Sequence, residues 1–415
     1  MKHSLRALRH PNFRLFFAGQ TVSVIGTWIH TIAMSWLVYR LSGSALLLGL
    51  TGFASMAPLF FFVPLTGLLA DWVDRQRLLL ITQVFAAIHA VAMAGLAYAD
   101  LLNAWHVIAL ATLLGIIQAA DTPLRQTFLP EMVTAREDLP SAVALSAFMQ
   151  QAGRLIGPTI AGVLMAVSSE ALCFLVNALS KLGVIAAVAA MRIEQRPRAR
   201  RQARVAADLA EGLRYAWDTV PVRILLPTLA VVSFMIAPYQ ALMPIFAAEI
   251  FHGGADTLGY LTGAAGLGGG VAVLVLAGRR DVRGLARIIL AAAVTAGSAL
   301  MAFSQTRWLW LAYLLLFFVG AGMLVVITGT STILQTIVED EKRGRVMSLY
   351  TMSFLGMIPM GSLAAGALAE RIGATATLAL SGACCIGAGG VLWIKLPVLR
   401  SHIRAHYVRL GIVRE

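Results

Sequence analysis

Four charged side chains stand close together in a short segment between two long uncharged runs of the chain. The segment reads Gly67-x-x-x-Asp71-x-x-Asp74-Arg75-x-Arg77, and residues 41–70 and 78–99 carry no Asp, Glu, Lys or Arg. Asp71 would lie at the carboxyl end of a helix, where a negative charge is unfavourable without a positive partner. We therefore predict a conformational latch of ion pairs. Its members are expected to be Asp71, Asp74, Arg75, Arg77, Asp121, Arg125, Arg343 and Arg345.

Two further positive charges, Arg154 and Lys181, lie inside apolar runs. A charge in the middle of a membrane-spanning helix costs about 3 kcal/mol on insertion scales, so such residues are candidates for function. Lys181 is too deep in its run to reach the membrane surface, and it must face protein or a wet cavity. It either pairs with a carboxylate or carbonyl for structure alone, or serves an anionic substrate or a proton-coupled site. For Arg154, a structural role and a cavity role are equally open.

Proton coupling requires a carboxylate or a histidine that titrates in a shielded place. The candidates within the apolar runs are Asp121, His30 and His89. Each also has a simpler interpretation: a hydrogen-bonded packing residue for the histidines, and a member of the latch with Arg125 for Asp121.

The chain lacks the residue patterns of catalytic, nucleotide-binding and metal-binding proteins. It has no clustered His, Asp and Glu, no phosphate loop ending in Lys-Ser or Lys-Thr, and no zinc-ligand spacing. The glycines from Gly263 to Gly270 lie in an apolar run and indicate close helix packing. We expect no enzyme, no metal and no cofactor.

The elements that position these residues are long apolar helices. Hydrophobic residues make up 59% of the 415 positions and charged residues 13%, against about 25% charged residues in soluble domains. Runs of about 20 apolar residues, enough to cross a hydrocarbon core of about 30 Å, recur along the chain. We predict an all-α polytopic membrane protein with twelve transmembrane helices in two pseudo-symmetric six-helix bundles. The predicted spans are 13–39, 45–70, 77–99, 104–129, 139–168, 170–191, 222–249, 256–278, 284–304, 308–338, 345–370 and 374–396.

The positions of Lys and Arg predict the orientation in the membrane. With a cytoplasmic N-terminus, only Arg40, Arg307 and Arg371 fall at the outer ends of spans, and the other cations outside the spans lie on the cytoplasmic side. This bias explains the net charge of +13 without nucleic acid as a partner. We expect a monomer in a bacterial-type cytoplasmic (inner) membrane, with both termini in the cytoplasm.

The two halves of the chain are related, and a basic connection separates them. Residues 70–74 resemble residues 277–281, with Gly278 in place of Asp71, so the latch is one-sided. Such repeats are typical of alternating-access transporters. We predict bundles at 1–191 and 222–396, a basic cytoplasmic linker with an amphipathic helix at 192–221, and a basic tail at 397–415. The linker and tail are expected to contact anionic membrane lipids.

Span five combines small residues, a cation and a proline. Gly153, Gly157 and Gly162 allow another helix to approach closely, and Pro158 removes a backbone hydrogen bond and bends the helix. Together with Arg154 these residues serve either close packing alone or a seal or pivot between the two halves.

Six short motifs, in order on the predicted spans, resemble the major facilitator superfamily. Two are the segment 67–77 and the span-five motif, and the other four resemble the branch that contains the enterobactin exporter and macrolide efflux proteins. Those four are Ala120-Asp-Thr-Pro-Leu-Arg-Gln126, Cys173-Phe-Leu-Val-Asn-Ala-Leu-Ser180, Glu211-Gly-Leu-Arg-Tyr215 and Arg343-Gly-Arg-Val-Met-Ser-Leu-Tyr350. The resemblance covers nearly the whole chain. Asp74 stands where many members of the superfamily have glycine, a variant common in one efflux branch. The chain departs from the pattern at Ser146, Gln151 and Lys181, so no substrate carries over.

The resemblance implies proton-driven export of small amphiphilic organic molecules, either a siderophore or drugs, by alternating access. It also implies a cavity lined chiefly by spans one, four, seven and ten, and a position for Asp71 opposite the start of span eleven. Candidate substrate or proton residues are Trp28, His30, Met34, Gln118, Gln151, Lys181, Tyr239, Gln240, Met323 and Thr328. The alternatives are a lipid or lysolipid flippase of the same fold and a non-transporting membrane receptor.

Overall fold

The computed structural model describes residues 5–69, 74–191, 205–236, 238–279 and 282–409, and these residues are almost entirely helical. Helices suit such apolar runs because each helix satisfies its own backbone hydrogen bonds, as a hydrocarbon environment requires. The α-helices are α1 Pro11–Ser42, α2 Ala45–Leu69, α3 Arg75–Tyr98, α4 Ala104–Phe128, α5 Leu139–Val167, α6 Glu170–Ala190, α7 Val205–Asp218, α8 Val220–Met235, α9 Tyr239–Ile245, α10 Ala255–Ala277, α11 Leu285–Gln305, α12 Leu309–Ile337, α13 Asp340–Thr351, α14 Met357–Ile372 and α15 Ala374–Arg409.

Ten helical segments in the described part of the chain are long and apolar enough to cross a membrane. Eight are formed by α1, α3, α4, α6, α10, α11, α12 and α15, and two, Val220–Ile250 and Asp340–Ile372, join several helices. A shorter apolar helix, Ala45–Phe60, comes from α2, and α5 is not among the ten. The chain is therefore a multi-pass helical membrane protein, and the number of twelve spans stays a prediction.

Three predicted spans differ from the observed helices. Span seven, predicted at 222–249, consists of α8, α9 and a π-helical turn, Phe246–Ile250, and Pro238 cannot continue the α8 hydrogen-bond ladder because it lacks an amide hydrogen. Span eleven, predicted at 345–370, begins five residues earlier with Asp340, an acidic residue that the helix N-terminus favours. The helix of span twelve, predicted to end at 396, continues to Arg409.

The chain divides into two compact units, each with its own packing. The first unit comprises residues 1–201 and 243–263, and the second comprises residues 202–242 and 264–415. In the first unit, α1 packs against α5 and α6, α2 against α4, and α3 against α4 and α6. In the second, α11 packs against α12 and α15, α8 against α14 and α15, and α7 against α13. The predicted bundle, linker and tail boundaries stay a prediction.

An apolar cluster closes one end of the first unit. Phe13 and Phe16 of α1 pack there with Leu79 of α3, Phe128 of α4 and Val184 of α6, all nearly inaccessible to solvent. Gln20, a buried polar residue of α1, lies one helical turn beyond Phe16. This cluster therefore fixes the relative positions of the four helices that carry the buried polar residues.

Candidate functional site

Asp74 begins α3 and stabilises its first turn. Its carboxylate accepts hydrogen bonds from the backbone amides of Gln76 at 2.9 Å and Arg77 at 3.4 Å. These amides have no partner within the helix, and the helix dipole favours a negative charge here. The Arg77 side chain is 80% exposed and lies 3.7 Å from Asp74. Asp71 lies outside the described residues, so its ion pairs stay a prediction.

Arg75 connects the start of α3 to the end of α4. Its Nη1 donates to the carbonyl oxygen of Thr127 at 2.9 Å and to Oε1 of Glu131 at 3.2 Å, and the side chain is only 13% exposed. Glu131 was not predicted as a latch residue, because no regular spacing relates it to an arginine 56 positions earlier. Arg75 therefore has a fixed place within the first unit.

Asp121 and Arg125 form an ion pair one turn apart on α4. Arg125 Nε lies 2.8 Å from Oδ2 of Asp121, which is 6% exposed. Oδ1 of the same carboxylate accepts from Gln83 Nε2 at 2.6 Å and from Thr82 Oγ1 at 3.2 Å, both on α3. A buried carboxylate is tolerated when it is paired and hydrogen-bonded in this way. Sequence reasoning had placed Asp121 and Arg125 together in the latch but had missed both α3 partners.

Lys181 lies inside the first unit and connects α6 to α1. The residue is 8% exposed, and its Nζ donates to Ser23 Oγ and Thr27 Oγ1, each at 2.9 Å. Its electrostatic neighbours on α4 are Asp121, which attracts the ammonium, and Arg125, which repels it. The structural partner expected for Lys181 was a carboxylate or a carbonyl, whereas its direct partners are hydroxyl groups.

Two histidine rings pack against each other at a tilt near this lysine. The rings of His30 on α1 and His89 on α3 have centroids 5.4 Å apart, and Phe174 of α6 lies 4.8 Å from His30. His89 Nε2 lies 2.9 Å from the carbonyl oxygen of Leu110. Neither ring nitrogen of His30 has a hydrogen-bond partner among the described residues. Buried polar atoms are normally satisfied, so an unpaired imidazole marks a site that can accept a further partner.

These contacts belong to a buried polar core formed by α1, α3, α4 and α6. The α1 polar strip consists of Gln20, Ser23, Thr27 and His30, which lie on one face because they are three or four residues apart. The other members are Thr82, Gln83, His89, Asp121, Asn177, Ser180 and Lys181. Of these, Asp121 and Lys181 are of the residue types that are usually charged at pH 7. Polar residues at helical spacing within an apolar span are a signal that could have revealed this strip from the sequence.

The glycines of span five face two different neighbours. A Cβ on Gly153 would clash with Val24, and one on Gly157 would clash with Trp28, so both glycines let α5 approach α1. A Cβ on Gly162 would lie 2.9 Å from the carbonyl oxygen of Ala255, at the start of α10. Close approach at small residues is a common way for membrane helices to associate. The α5 helix continues through the buried Pro158 without a break.

The remaining cavity candidates are divided between the two units. In the first, the Arg154 guanidinium lies 5.7 Å from the centre of the Trp28 ring, a cation–π arrangement. Met34 is buried there, and Gln118 and Gln151 are half-buried. The second unit contains the buried Tyr239 and Met323 and the half-buried Gln240 and Thr328.

The two arginines predicted at the start of span eleven have partners within the second unit. Arg343 Nη2 lies 2.6 Å from Asp340 on the same helix, α13. Arg345 Nη1 lies 2.7 Å from Glu211 of α7, and Lys342 lies 4.9 Å from the centre of the Tyr215 ring, also on α7. These contacts attach α7 to the start of the eleventh predicted span.

Comparison with known proteins gives matches over nearly the whole chain. Residues 2–407 match the protein family described as transmembrane secretion effector. The chain is 27% identical to the staphyloferrin A transporter of Staphylococcus aureus, with 89% of this chain and 92% of that protein covered. It is 28% identical to the multidrug efflux pump Tap of Mycolicibacterium fortuitum, with 94% and 97% covered.

A solved structure with a similar fold is that of the peptide transporter POT, in a variant form. It has a TM-score of 0.74 to this chain, covers 94% of this chain and 95% of its own, and is 14% identical in sequence. At this identity the similarity concerns the fold alone.

Proposed function

The chain belongs to the transmembrane secretion effector family of the major facilitator superfamily, whose members are transporters and not enzymes, and from this we propose that it exports small amphiphilic organic molecules, siderophores or drugs, by proton-coupled alternating access. The named relatives include a staphyloferrin A transporter and a multidrug efflux pump. Their names support the class of cargo, and no particular compound carries over.

We propose twelve membrane spans in two pseudo-symmetric bundles. The ten apolar segments give this number when α2 and the 29-residue α5 are added. With these two helices included, α1 to α6 supply six spans. The six apolar segments from α8 to α15 supply six more. The bias of Lys and Arg supports cytoplasmic termini in a bacterial-type inner membrane.

The observation that carries the proposal is the pair of charges, Asp121 and Lys181, buried among membrane-spanning helices. Ionisable residues at such positions are costly, and they are retained where ions or protons are handled. Protonation of Asp121 neutralises the carboxylate that holds Arg125 at 2.8 Å and Gln83 at 2.6 Å. It also removes the negative charge that attracts Lys181. One proton therefore changes the interactions of α3, α4 and α6 together.

The latch is the second part of the proposed mechanism. Arg75 connects the start of α3 to the end of α4, and Asp74 stabilises the first turn of α3. Asp71 is proposed to engage the start of α13, next to Arg343 and Arg345, when the cytoplasmic side is closed. Gly153 and Gly157 of span five let α5 pack closely against α1 within the first unit.

The test begins with the cargo. Metabolites retained by cells that lack the protein are compared with those of the parent strain, and the leading compound is then offered to inverted membrane vesicles. We expect uptake when the vesicle interior is acidic and loss of uptake when a protonophore removes the gradient. The Asp121→Asn variant should lose gradient-driven uptake, whereas Asp100→Asn, the same change at an exposed residue of the same unit, should retain it.

Each part of the proposal has its own contrary result. Absence of uptake with and without a gradient refutes the exporter, and uptake that persists without the gradient refutes proton coupling alone. The alternative of a lipid or lysolipid flippase predicts movement of a labelled lipid between leaflets in the same vesicles. Equal activity of Asp121→Asn and Asp100→Asn removes Asp121 from the coupling mechanism.

A further inference from the structure

A large cleft lies entirely within the second unit, between α11 and α15. Its volume is about 1810 Å³, well above the range of about 300–1,000 Å³ that is usual for drug-sized ligands. It is lined by residues 282–287, 290, 291, 294 and 295, by Ile333, and by residues 386, 389, 390, 393, 396, 397, 400, 401 and 403. None of the proposed cargo or proton residues lines it.

The cleft forms beside a tight crossing of the two helices. A Cβ on Gly297 would lie 2.7 Å from the carbonyl oxygen of Gly382, and a Cβ on Gly382 would lie 2.5 Å from that of Gly297, so the backbones are in contact there. Toward Arg287 and Arg400 the helices remain in contact at one point, because a Cβ on the buried Gly389 would clash with Val294, and the cleft runs beside that contact, past the exposed Gly390. A Cβ on Gly390, within the cleft, would have nothing within 4 Å.

The mouth of the cleft is strongly positive. Arg283, Arg287 and Arg400 line it, and all three are exposed. Among the described residues that line the cleft there is no Asp or Glu. The side chains of Arg287 and Arg400 make no hydrogen bond or ion pair with any described residue. Guanidinium groups present several donors in a planar fork that suits phosphate oxygens. The mouth is therefore complementary to an anion, phosphate above all.

The depth and the walls of the cleft match one leaflet of a bilayer. Arg287 and Thr295 are eight residues apart on α11, about 12 Å along a helix axis at 1.5 Å per residue, against about 15 Å for half of a hydrocarbon core. Leu290, Val294 and Ile386 form apolar walls. Trp393 is 68% exposed at the same site, and tryptophan is typical of the membrane–water interface.

We infer that this cleft binds one anionic phospholipid as a structural ligand. The headgroup phosphate lies on Arg287 and Arg400, with Arg283 beside them. An acyl chain extends along the cleft past Leu290, Val294 and Ile386, beside the contact of Val294 with Gly389. A free phosphate would meet the arginines but would leave the apolar walls uncovered. Basic pockets between membrane helices are known to favour anionic headgroups.

The experiment measures lipid binding to the purified full-length protein by native mass spectrometry, independently of transport. Phosphatidylglycerol is titrated in parallel with phosphatidylcholine of the same acyl chains. The double variant Arg287→Gln/Arg400→Gln should bind phosphatidylglycerol about thirtyfold more weakly, from the contribution of two arginines near a membrane surface. The control is Arg307→Gln/Arg371→Gln, which removes two exposed cations from the same unit and should leave binding unchanged.

A second pair of variants tests the apolar part of the cleft. Gly390→Phe places a ring in open space within the cleft and should weaken binding of phosphatidylglycerol at least tenfold. Gly387→Phe is the matched control, because a Cβ at Gly387 also has nothing within 4 Å and Gly387 does not line the cleft. Glycerol phosphate is added as a soluble competitor without acyl chains.

Each arm can overturn the inference. Phosphatidylcholine that binds as tightly as phosphatidylglycerol contradicts an anion site, and so does equal binding by the two double-arginine variants. Unchanged binding by Gly390→Phe contradicts an acyl chain in the cleft. Competition by glycerol phosphate at concentrations equal to those of the lipid identifies a site for soluble phosphates instead.

Discussion

Glycine-to-alanine substitutions on α10 should have opposite effects on stability at two positions only two residues apart. Gly268 and Gly270 both lie in this helix, and the substitution is the same. A Cβ on Gly268 would clash with the backbone of Phe317 on α12, at 2.6 Å from its carbonyl carbon. Reciprocally, a Cβ on Gly320 of α12 would clash with the backbone of Ala265. A Cβ on Gly270 would have nothing within 4 Å.

The size of the destabilisation by Gly268→Ala follows from the separation that a methyl group requires. Carbon atoms prefer distances of about 3.5–4.0 Å, so a methyl group on Gly268 must push the α12 backbone away by roughly 1 Å. Overpacking of this kind costs about 1–3 kcal/mol, and the upper end applies because a backbone cannot rotate aside as a side chain can. In a helix interior alanine is more favourable than glycine by about 1 kcal/mol, which offsets part of this cost. Gly268→Ala should therefore destabilise by about 2 kcal/mol, and Gly270→Ala should stabilise by up to about 1 kcal/mol.

The assay is thermal unfolding of the detergent-purified protein, followed by tryptophan fluorescence and by retention of a monodisperse peak in gel filtration. We expect the apparent Tm of Gly268→Ala to lie a few degrees below that of Gly270→Ala, with Gly320→Ala behaving like Gly268→Ala. If Gly268→Ala is as stable as Gly270→Ala, the backbones of α10 and α12 are not in contact at this crossing, and the reasoning is refuted.

Three further outcomes can be measured on the same preparations and vesicles. Arg75→Ala should destabilise by about 1–3 kcal/mol because it removes a largely buried side chain together with its hydrogen bonds to Thr127 and Glu131. Arg77→Ala, at an 80% exposed side chain, should stay within about 0.5 kcal/mol; equal losses would contradict this difference. Arg40→Gln should lower the Tm because Glu170, which accepts from Arg40 Nε at 2.8 Å, is then buried without its cation. Adding Glu170→Gln should restore most of the lost Tm in thermal unfolding. Failure to restore it would refute the ion pair as the cause. Lys181→Met should reduce gradient-driven uptake at least tenfold, whereas Arg14→Gln, at an exposed residue of α1, should retain it. Normal uptake by Lys181→Met would mean that the lysine has a structural role only.

Much of the fold was predictable because the bilayer restricts the answer. Long uncharged runs predicted helices, and most helix ends fall within a few residues of the predicted spans, as for α4 at 104–128 against 104–129. The family inferred from six short motifs is confirmed by the match over residues 2–407. Two differences concern prolines. Pro238 interrupts the seventh span, whereas α15 continues through Pro397 to Arg409.

The sequence by itself determined which residues were costly in a membrane, and therefore which were candidates for function: Asp121, Lys181, His30 and the charged segment before α3. Only the tertiary structure decided their partners. Lys181 donates to hydroxyls 154 and 158 positions earlier, and Asp121 accepts from Gln83, 38 positions earlier. Spacing along a helix reveals which side chains share a face, but the element that packs on that face is set by the fold as a whole. For the same reason the cleft between α11 and α15 has no signature in either helix alone.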